Sequence, residues 1–389
     1  MHVFDFNEQL HVLELQGLKR QRSILAGPQS THITIDNHEY LSFSSNDYLA
    51  LANDPELVEA VCEGAQQYGV GAGASHLVNG HNIAHHELEE TLAQFTGFPN
   101  ALLFSTGYMA NIGVVTALVG RSDAIFADKL NHASLNDAAI LSRAQLVRYP
   151  HLDLAVLEHR LANSRAKRKL IITDAVFSMD GDIAPVEALT YLSEKYRAML
   201  VLDDAHGFGV LGSKGRGLLF ATEIAKQHSS NIIYMATLGK AAGVFGAFVA
   251  ASNGVIETLI QSARSYIYTT ATPPLLSHAL KKSLKLIAQG DWRRKKLMHH
   301  IQLLKEKLQT LPWPLLPSST PIQPVVVGDV REVVRVSQAL KARNILVPAI
   351  RPPTVPTGTA RLRISLSAGH QEADILRLAE ELHKLAEAR

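Results

Sequence analysis

One cysteine, Cys62, in 389 residues leaves no partner for an intrachain disulfide and no thiolate cluster for a metal. That scarcity fits a reducing compartment, and a cytoplasmic location is the expectation. Charge of one sign is also missing. The formal net charge of +2 gives no electrostatic reason to expect nucleic acid or an anionic membrane as a partner. Residues 1–23 mix Asp5, Glu8 and Glu14 with apolar positions and lack the charged-then-apolar layout of a signal peptide. Long unbroken apolar runs are absent as well. The nearest, 232–251, contains three glycines and carries Lys240 near its middle, where a bilayer would make it costly. A buried strand, loop and strand is the better reading.

What is present is the composition of an ordinary globular protein, 47% hydrophobic and 19% charged. Residues 7–22 carry leucines at helical spacing, and 31–43 alternate around Asp36-Asn37 as a short hairpin. From about Leu51 helices alternate with short apolar runs at 101–104, 124–127, 146–149, 170–173, 199–202, 232–236 and 247–251. That alternation predicts an α/β fold with a mostly parallel sheet and helices on both faces. Long helices follow Pro273-Pro274, then a smaller C-terminal α/β domain with strands near 324–327 and 361–366 and a last helix at about 371–386. The expected division is an N-terminal helix and hairpin over 1–45, a large domain over 46–290 and a small one over 291–389.

In parallel sheets ligands collect at the carboxyl ends of the strands. Lys240 stands there, in Thr237-Leu238-Gly239-Lys240-Ala241-Ala242-Gly243. A buried stem with a snorkelling head is the plain reading. A lysine desolvated in a glycine-lined pocket is the sharper one, since its lowered pKa frees the amine for Schiff-base chemistry. Another run ends in Asp203-Asp204-Ala205-His206-Gly207. If the strand continues, the two aspartates face opposite ways. Asp203 is either a cap or the carboxylate that keeps the ring nitrogen of pyridoxal 5′-phosphate protonated, making the ring an electron sink. Thr106-Gly107-Tyr108 opens a helix whose N–H groups suit a phosphate. Asn131-His132-Ala133-Ser134 opens another, so that His132 can cover a flat ring, and Thr173 to Gly181 is a third polar strand end.

In this order the segments resemble the α-oxoamine synthases, fold-type I pyridoxal-phosphate-dependent transferases, from Phe43-Ser44-Ser45-Asn46-Asp47-Tyr48-Leu49 to Thr359-Ala360-Arg361-Leu362-Arg363. The stretch Ile350 to Pro356 resembles the branch that joins L-alanine to a pimeloyl thioester in biotin synthesis. The resemblance implies pyridoxal 5′-phosphate bound covalently by Lys240, with Asp203 on its ring nitrogen and His206 and Ser178 on its phenolic oxygen. It also implies His132 on the ring face, with Gly107, Tyr108 and Thr237 around the cofactor and its phosphate. Arg20, His132, Thr354 and Arg361 would contact substrate, Arg361 through a substrate carboxylate. Thr269 and Thr270 would reach the phosphate of a neighbouring subunit in a homodimer. The acyl donor could ride on coenzyme A or on an acyl carrier protein. Ala50, His76 and Phe245 depart from the family pattern.

Two rivals share these residues: a sibling synthase using glycine or serine, and a pyridoxal-phosphate-binding protein without catalysis. Nucleotide motifs fail, because Tyr234 replaces the first Walker A glycine and His76 the third glycine of a dinucleotide fingerprint. His81, His85, His86 and Glu89 lie at helical spacing, but without a second ligand cluster they read as a solvated or capping face, and no metal is expected. The basic runs 165–169 and 293–296 read as helix surface.

Overall fold

The computed structural model describes residues 6–15, 18–20, 22–222 and 230–388. After the helix Phe6–Leu15 come β1 (Leu25–Ala26), β2 (His32–Ile35) and β3 (His38–Ser42). Asp36 and Asn37 turn the β2–β3 hairpin with φ of 51° and 61°, the left-handed pair of the tight turn that their sequence predicts. The main strands are β4 (Asn100–Phe104), β5 (Ala124–Asp128), β6 (Gln145–Tyr149), β7 (Lys169–Asp174), β8 (Met199–Asp203), β9 (Ile232–Thr237) and β10 (Ala247–Ala251). They coincide with the seven apolar runs and form one sheet in the order β4-β10-β9-β8-β7-β5-β6, in which β10 runs antiparallel to both its neighbours.

The runs are continuously apolar because both faces of the sheet are covered. Leu103, Phe126, Ile171, Leu202, Tyr234 and Phe248 enter one core. The intervening Leu102, Ile125, Ile172, Val201, Met235 and Val249 enter the other, with the helices Gly107–Leu118 and Ala133–Ser142. The smaller C-terminal part holds β11 (Ile322–Gly328), β12 (Ile345–Leu346), β13 (Ala349–Ile350) and β14 (Ala360–Ser365). β14 lies between β11 and β13, while β12 pairs in parallel with β3, so the N-terminal hairpin shares a sheet with the C-terminal part. Among the described residues no helix is long and apolar enough to cross a membrane.

Two expectations need correction. Residues 165–169 form the loop into β7 and its first residue, not a helix. Arg293 and Arg294 are not surface residues. Arg293 donates to Leu49 O at 2.9 Å and pairs with Asp54 at 2.7 Å, while the buried Arg294 donates to Ile287 O at 2.7 Å and Gly209 O at 3.3 Å. They tie the helix Asp291–Lys307 to loops of the large domain. Their fork-shaped donor sets suit unpaired carbonyls that a lone lysine would satisfy less well.

Candidate active site

The polar groups gather at the carboxyl ends of β5, β7, β8 and β9, where the end of each strand hands a side chain to the same edge. The Lys240 turn is closed by the bond from Gly243 N to Lys240 O at 2.8 Å. Gly243 has φ 71°, and a Cβ there would lie 2.6 Å from the Leu51 backbone, so its glycine serves this close approach and not a cofactor face. Lys240 Nζ lies 2.8 Å from His206 Nε2. Burial pushes the lysine down to about 8, with Asp203 pulling the other way and Arg363 adding to the fall. Burial, reinforced by Lys240 and Arg363, holds His206 well below its ordinary value, so its ring is neutral.

Asp203 and Asp204 face opposite ways, as the strand geometry predicts. Asp203 Oδ2 accepts from Asn111 Nδ2 at 2.7 Å and Oδ1 from Ala205 N at 3.0 Å. Asp204 turns away to Tyr234 Oη at 2.9 Å and Leu218 N at 2.6 Å, and burial raises it to about 7. The other Asn111 amide hydrogen goes to Ser134 Oγ at 2.8 Å, which stands 2.8 Å from His132 Nδ1. His132 therefore reaches Asp203 through Ser134 and Asn111, and burial lowers its pKa. Composition and spacing gave Asn111 no role; its signal was its place four residues after Gly107, on the same helical face.

At the head of the helix Gly107–Leu118, Thr106 Oγ1 takes the Met109 N–H at 3.2 Å. The first N–H groups, at Gly107 and Tyr108, have no helical acceptor and suit an anion. Gly107 faces Thr237, whose Cβ would lie 4.0 Å from an added Cβ. The half-exposed Tyr108 donates its hydroxyl to Asp137. A cleft of about 550 Å³ is lined by His132, Ser178 and Thr354. Thr354 also borders a cleft of about 650 Å³ with the exposed Arg20, Leu10 and Leu13. Arg20 thus shares a cleft with Thr354 and is not among the residues lining the cleft of His132. Thr269 and Thr270 lie in the turn before the helix Pro274–Gln289 and line neither cleft.

Arg361 does not match its expected role. Its guanidinium is taken up by Asp180, Thr359 and the Met179 carbonyl. The guanidinium whose charge acts on Lys240, His206 and Tyr48 is that of Arg363, two residues along the same face of β14. Among the described residues Arg363 bonds neutral groups: Ser178 O at 2.6 Å, Ser365 Oγ at 2.8 Å, Asn46 Oδ1 at 3.2 Å and the Tyr48 hydroxyl. Tyr48, given no role from sequence, is fully buried with its hydroxyl 2.7 Å from His206 Nδ1.

Among the histidines, His85 caps its helix, accepting from Asn82 N at 3.0 Å through Nδ1 and meeting Thr272 O at 2.7 Å through Nε2. His76 and His81 approach through their Nδ1 atoms at 2.9 Å, and Glu89 accepts from Leu103 N. The donor set that fits a cofactor is instead the one around Lys240. A desolvated amine, a carboxylate held by an amide, a neutral imidazole and a helix N-terminus match the aldehyde, ring nitrogen, phenolic oxygen and phosphate of pyridoxal 5′-phosphate.

A model of the aminotransferase class I and II family matches residues 38–382. An 8-amino-7-oxononanoate synthase from Nitrosospira multiformis is 66% identical over 370 residues, covering 95% of this chain and 93% of its own. One from Nitrosomonas eutropha is 62% identical over 382 residues, covering 98% and 99%. Among solved structures, SPT with a pyridoxal 5′-phosphate internal aldimine superposes with a TM-score of 0.92 at 28% identity, covering 98% of this chain and 96% of its own.

Proposed function

The chain belongs to the aminotransferase class I and II family, and from that premise we propose that it is a pyridoxal-phosphate-dependent acyltransferase of biotin synthesis. Its reaction is the decarboxylative condensation of L-alanine with a pimeloyl thioester, giving 8-amino-7-oxononanoate, CO2 and free thiol. The observation that carries this is the buried Lys240 amine, 2.8 Å from a neutral His206 and within the field of Asp203. Relatives at 62% and 66% identity over nearly the whole chain carry the name of that synthase.

When bound, pyridoxal 5′-phosphate supplies an electron sink for a carbanion at the amino-acid Cα. Lys240 would hold it through Nζ, and its amine, when free, is placed to take a proton from the amino-acid Cα. A lysine lowered to about 8 has a useful fraction of free amine near neutral pH. Asp203 would hold a proton on the ring nitrogen, and Asn111 fixes the carboxylate for that task. His132 would cover the ring face, its orientation set by Ser134. Ser178 and His206 would meet the phenolic oxygen, while Gly107, Tyr108 and Thr237 would surround the phosphate. Arg363, bonded to neutral groups, receives the alanine carboxylate in a charge-assisted pair. Arg20 and Thr354 contact the acyl substrate in the cleft they share. The enzyme works in the cytoplasm as a homodimer, Thr269 and Thr270 of one subunit reaching the phosphate of the other. Its thioester donor is carried by coenzyme A or by an acyl carrier protein.

The test is CO2 release by the purified protein loaded with pyridoxal 5′-phosphate. Release should require L-alanine and pimeloyl thioester together and vanish in Lys240→Ala. Near-normal turnover in that variant would sink the assignment. Release with glycine or serine in preference to alanine would transfer the chain to a sibling activity.

A further inference from the structure

We infer that Tyr48 is a positioning residue that, together with Asn46, fixes the tautomer of His206 and so presents a bare Nε2 lone pair to the Lys240 amine. The inference rests on reading Lys240 as the reactive amine, and it adds a residue that the reading does not use.

The argument starts from Arg363, whose guanidinium has donors and no acceptor. Two of its nitrogens lie 3.2 Å from the Asn46 side chain, so the Asn46 atom facing them must be its oxygen. Tyr48 Oη lies 3.1 Å from that same oxygen and must donate its only hydrogen to it. Having donated there, the Tyr48 oxygen can only accept from its remaining neighbours, Arg363 and His206 Nδ1, the latter at 2.7 Å. Nδ1 therefore carries the proton. Because the buried ring is neutral, Nε2 is left with its lone pair, 2.8 Å from Lys240 Nζ. Along Arg363–Asn46–Tyr48–His206–Lys240 every donor then faces an acceptor. Tyr48 is itself fully buried, and burial raises its pKa, so the hydroxyl keeps its hydrogen across the working range.

The consequence falls on Lys240. A bare Nε2 accepts from the lysine and favours its ammonium form, whereas an Nε2–H would favour the free amine. The other groups acting on Lys240 are Asp203 on β8 and Asp174 at the end of β7, which favour the ammonium, and Arg363 on β14, which opposes it. His206 is acted on by Lys240, Arg363 and His132. Removing the Tyr48 hydroxyl leaves a buried Nδ1–H without an acceptor, a state that the ring escapes by moving its proton to Nε2. Tyr48→Phe should therefore lower the lysine midpoint further while leaving every charged group in place.

The experiment uses the cofactor-free full-length protein. Nitrogen-15 NMR of labelled histidines, with His206 assigned by its loss in His206→Asn, should show Nδ1 protonated and Nε2 pyridine-like between pH 6 and 8. A protonated Nε2 in the wild-type protein overturns the inference. In Tyr48→Phe the same resonances should exchange character. The midpoint for acetylation of Lys240, followed by peptide mass spectrometry, should fall by about one pH unit. An unchanged tautomer and midpoint in that variant also overturns it. Should Tyr48→Phe fail to fold, the wild-type spectrum decides alone. The anchoring role of Lys240 fails separately, in a wild-type protein that cannot acquire pyridoxal 5′-phosphate.

Discussion

At the scale of single residues, Arg361 and Arg363 divide two roles that the sequence cannot separate. They sit two apart on one strand and both point to the same face, so the period of two that identifies buried positions treats them alike. The structure separates them by their partners: Asp180 for Arg361, neutral groups for Arg363. Arg361→Ala should therefore act on stability, losing about 3 kcal/mol as one half of a largely buried ion pair, measured by denaturant unfolding. Arg363→Lys keeps the charge but should lose about 1–3 kcal/mol through the abandoned acceptors Ser178 O and Asn46 Oδ1, and weaken L-alanine about 10–100-fold, read from the alanine dependence of the cofactor spectrum. Equal alanine affinity in wild type and Arg363→Lys would return the carboxylate role to Arg361. Asn111 and Tyr48 escaped the sequence reading for a related reason. Each acts through a hydrogen bond to a residue far along the chain, a proximity that local spacing does not encode.

At the scale of elements, the strand runs were legible because burial on both faces makes them apolar throughout. The basic run at 293–296 misled because a helix bearing charge can still turn two arginines inward onto carbonyls. The carbonyls of Leu49 and Ala50 are among those that Arg293 holds. Ala50 itself has φ 53°, a left-handed conformation that explains why the family pattern places glycine there. Ala50→Gly should stabilise the protein by about 0.5–1 kcal/mol, the relief of strain exceeding the added unfolded-state entropy; a fall in melting temperature would contradict this.

The loop after β7 carries Ser178 and is braced by His151, which meets Asp128 at 3.0 Å and Asp182 at 2.6 Å. Burial works to lower His151, but the two carboxylates overcome it and raise it to about 10. A pKa raised on folding stabilises fully below the unfolded value of 6.5, and this contribution is lost as pH climbs through about 10. His151→Gln should thus be less stable than wild type by about 1 kcal/mol at pH 6, after allowance for solvent screening. The gap should close toward pH 10 in paired thermal melts; a gap independent of pH would contradict the clamp.

At the scale of the whole molecule, a sheet that delivers Asp203, Lys240 and the β7 loop to one edge explains how segments far apart in sequence make one site. Their order along the chain was readable, and the structure brings Lys240, Asp203, His206 and His132, singled out from sequence, to that one edge. Thr269 and Thr270 line neither cleft, and their proposed role requires a second subunit. Mixing inactive Lys240→Ala with a Thr269→Ala/Thr270→Ala double variant, after dissociation and reassociation, should restore activity. One site of each mixed dimer would then hold both lesions and the other neither. No recovery, with mixed dimers demonstrated, would place each site within a single chain.

The most direct test of the central claim is borohydride reduction of the pyridoxal-phosphate-loaded protein, followed by peptide mass mapping. A phosphopyridoxyl group on Lys240 alone is the predicted result. The same group on another lysine, or on none, would contradict the account of this site.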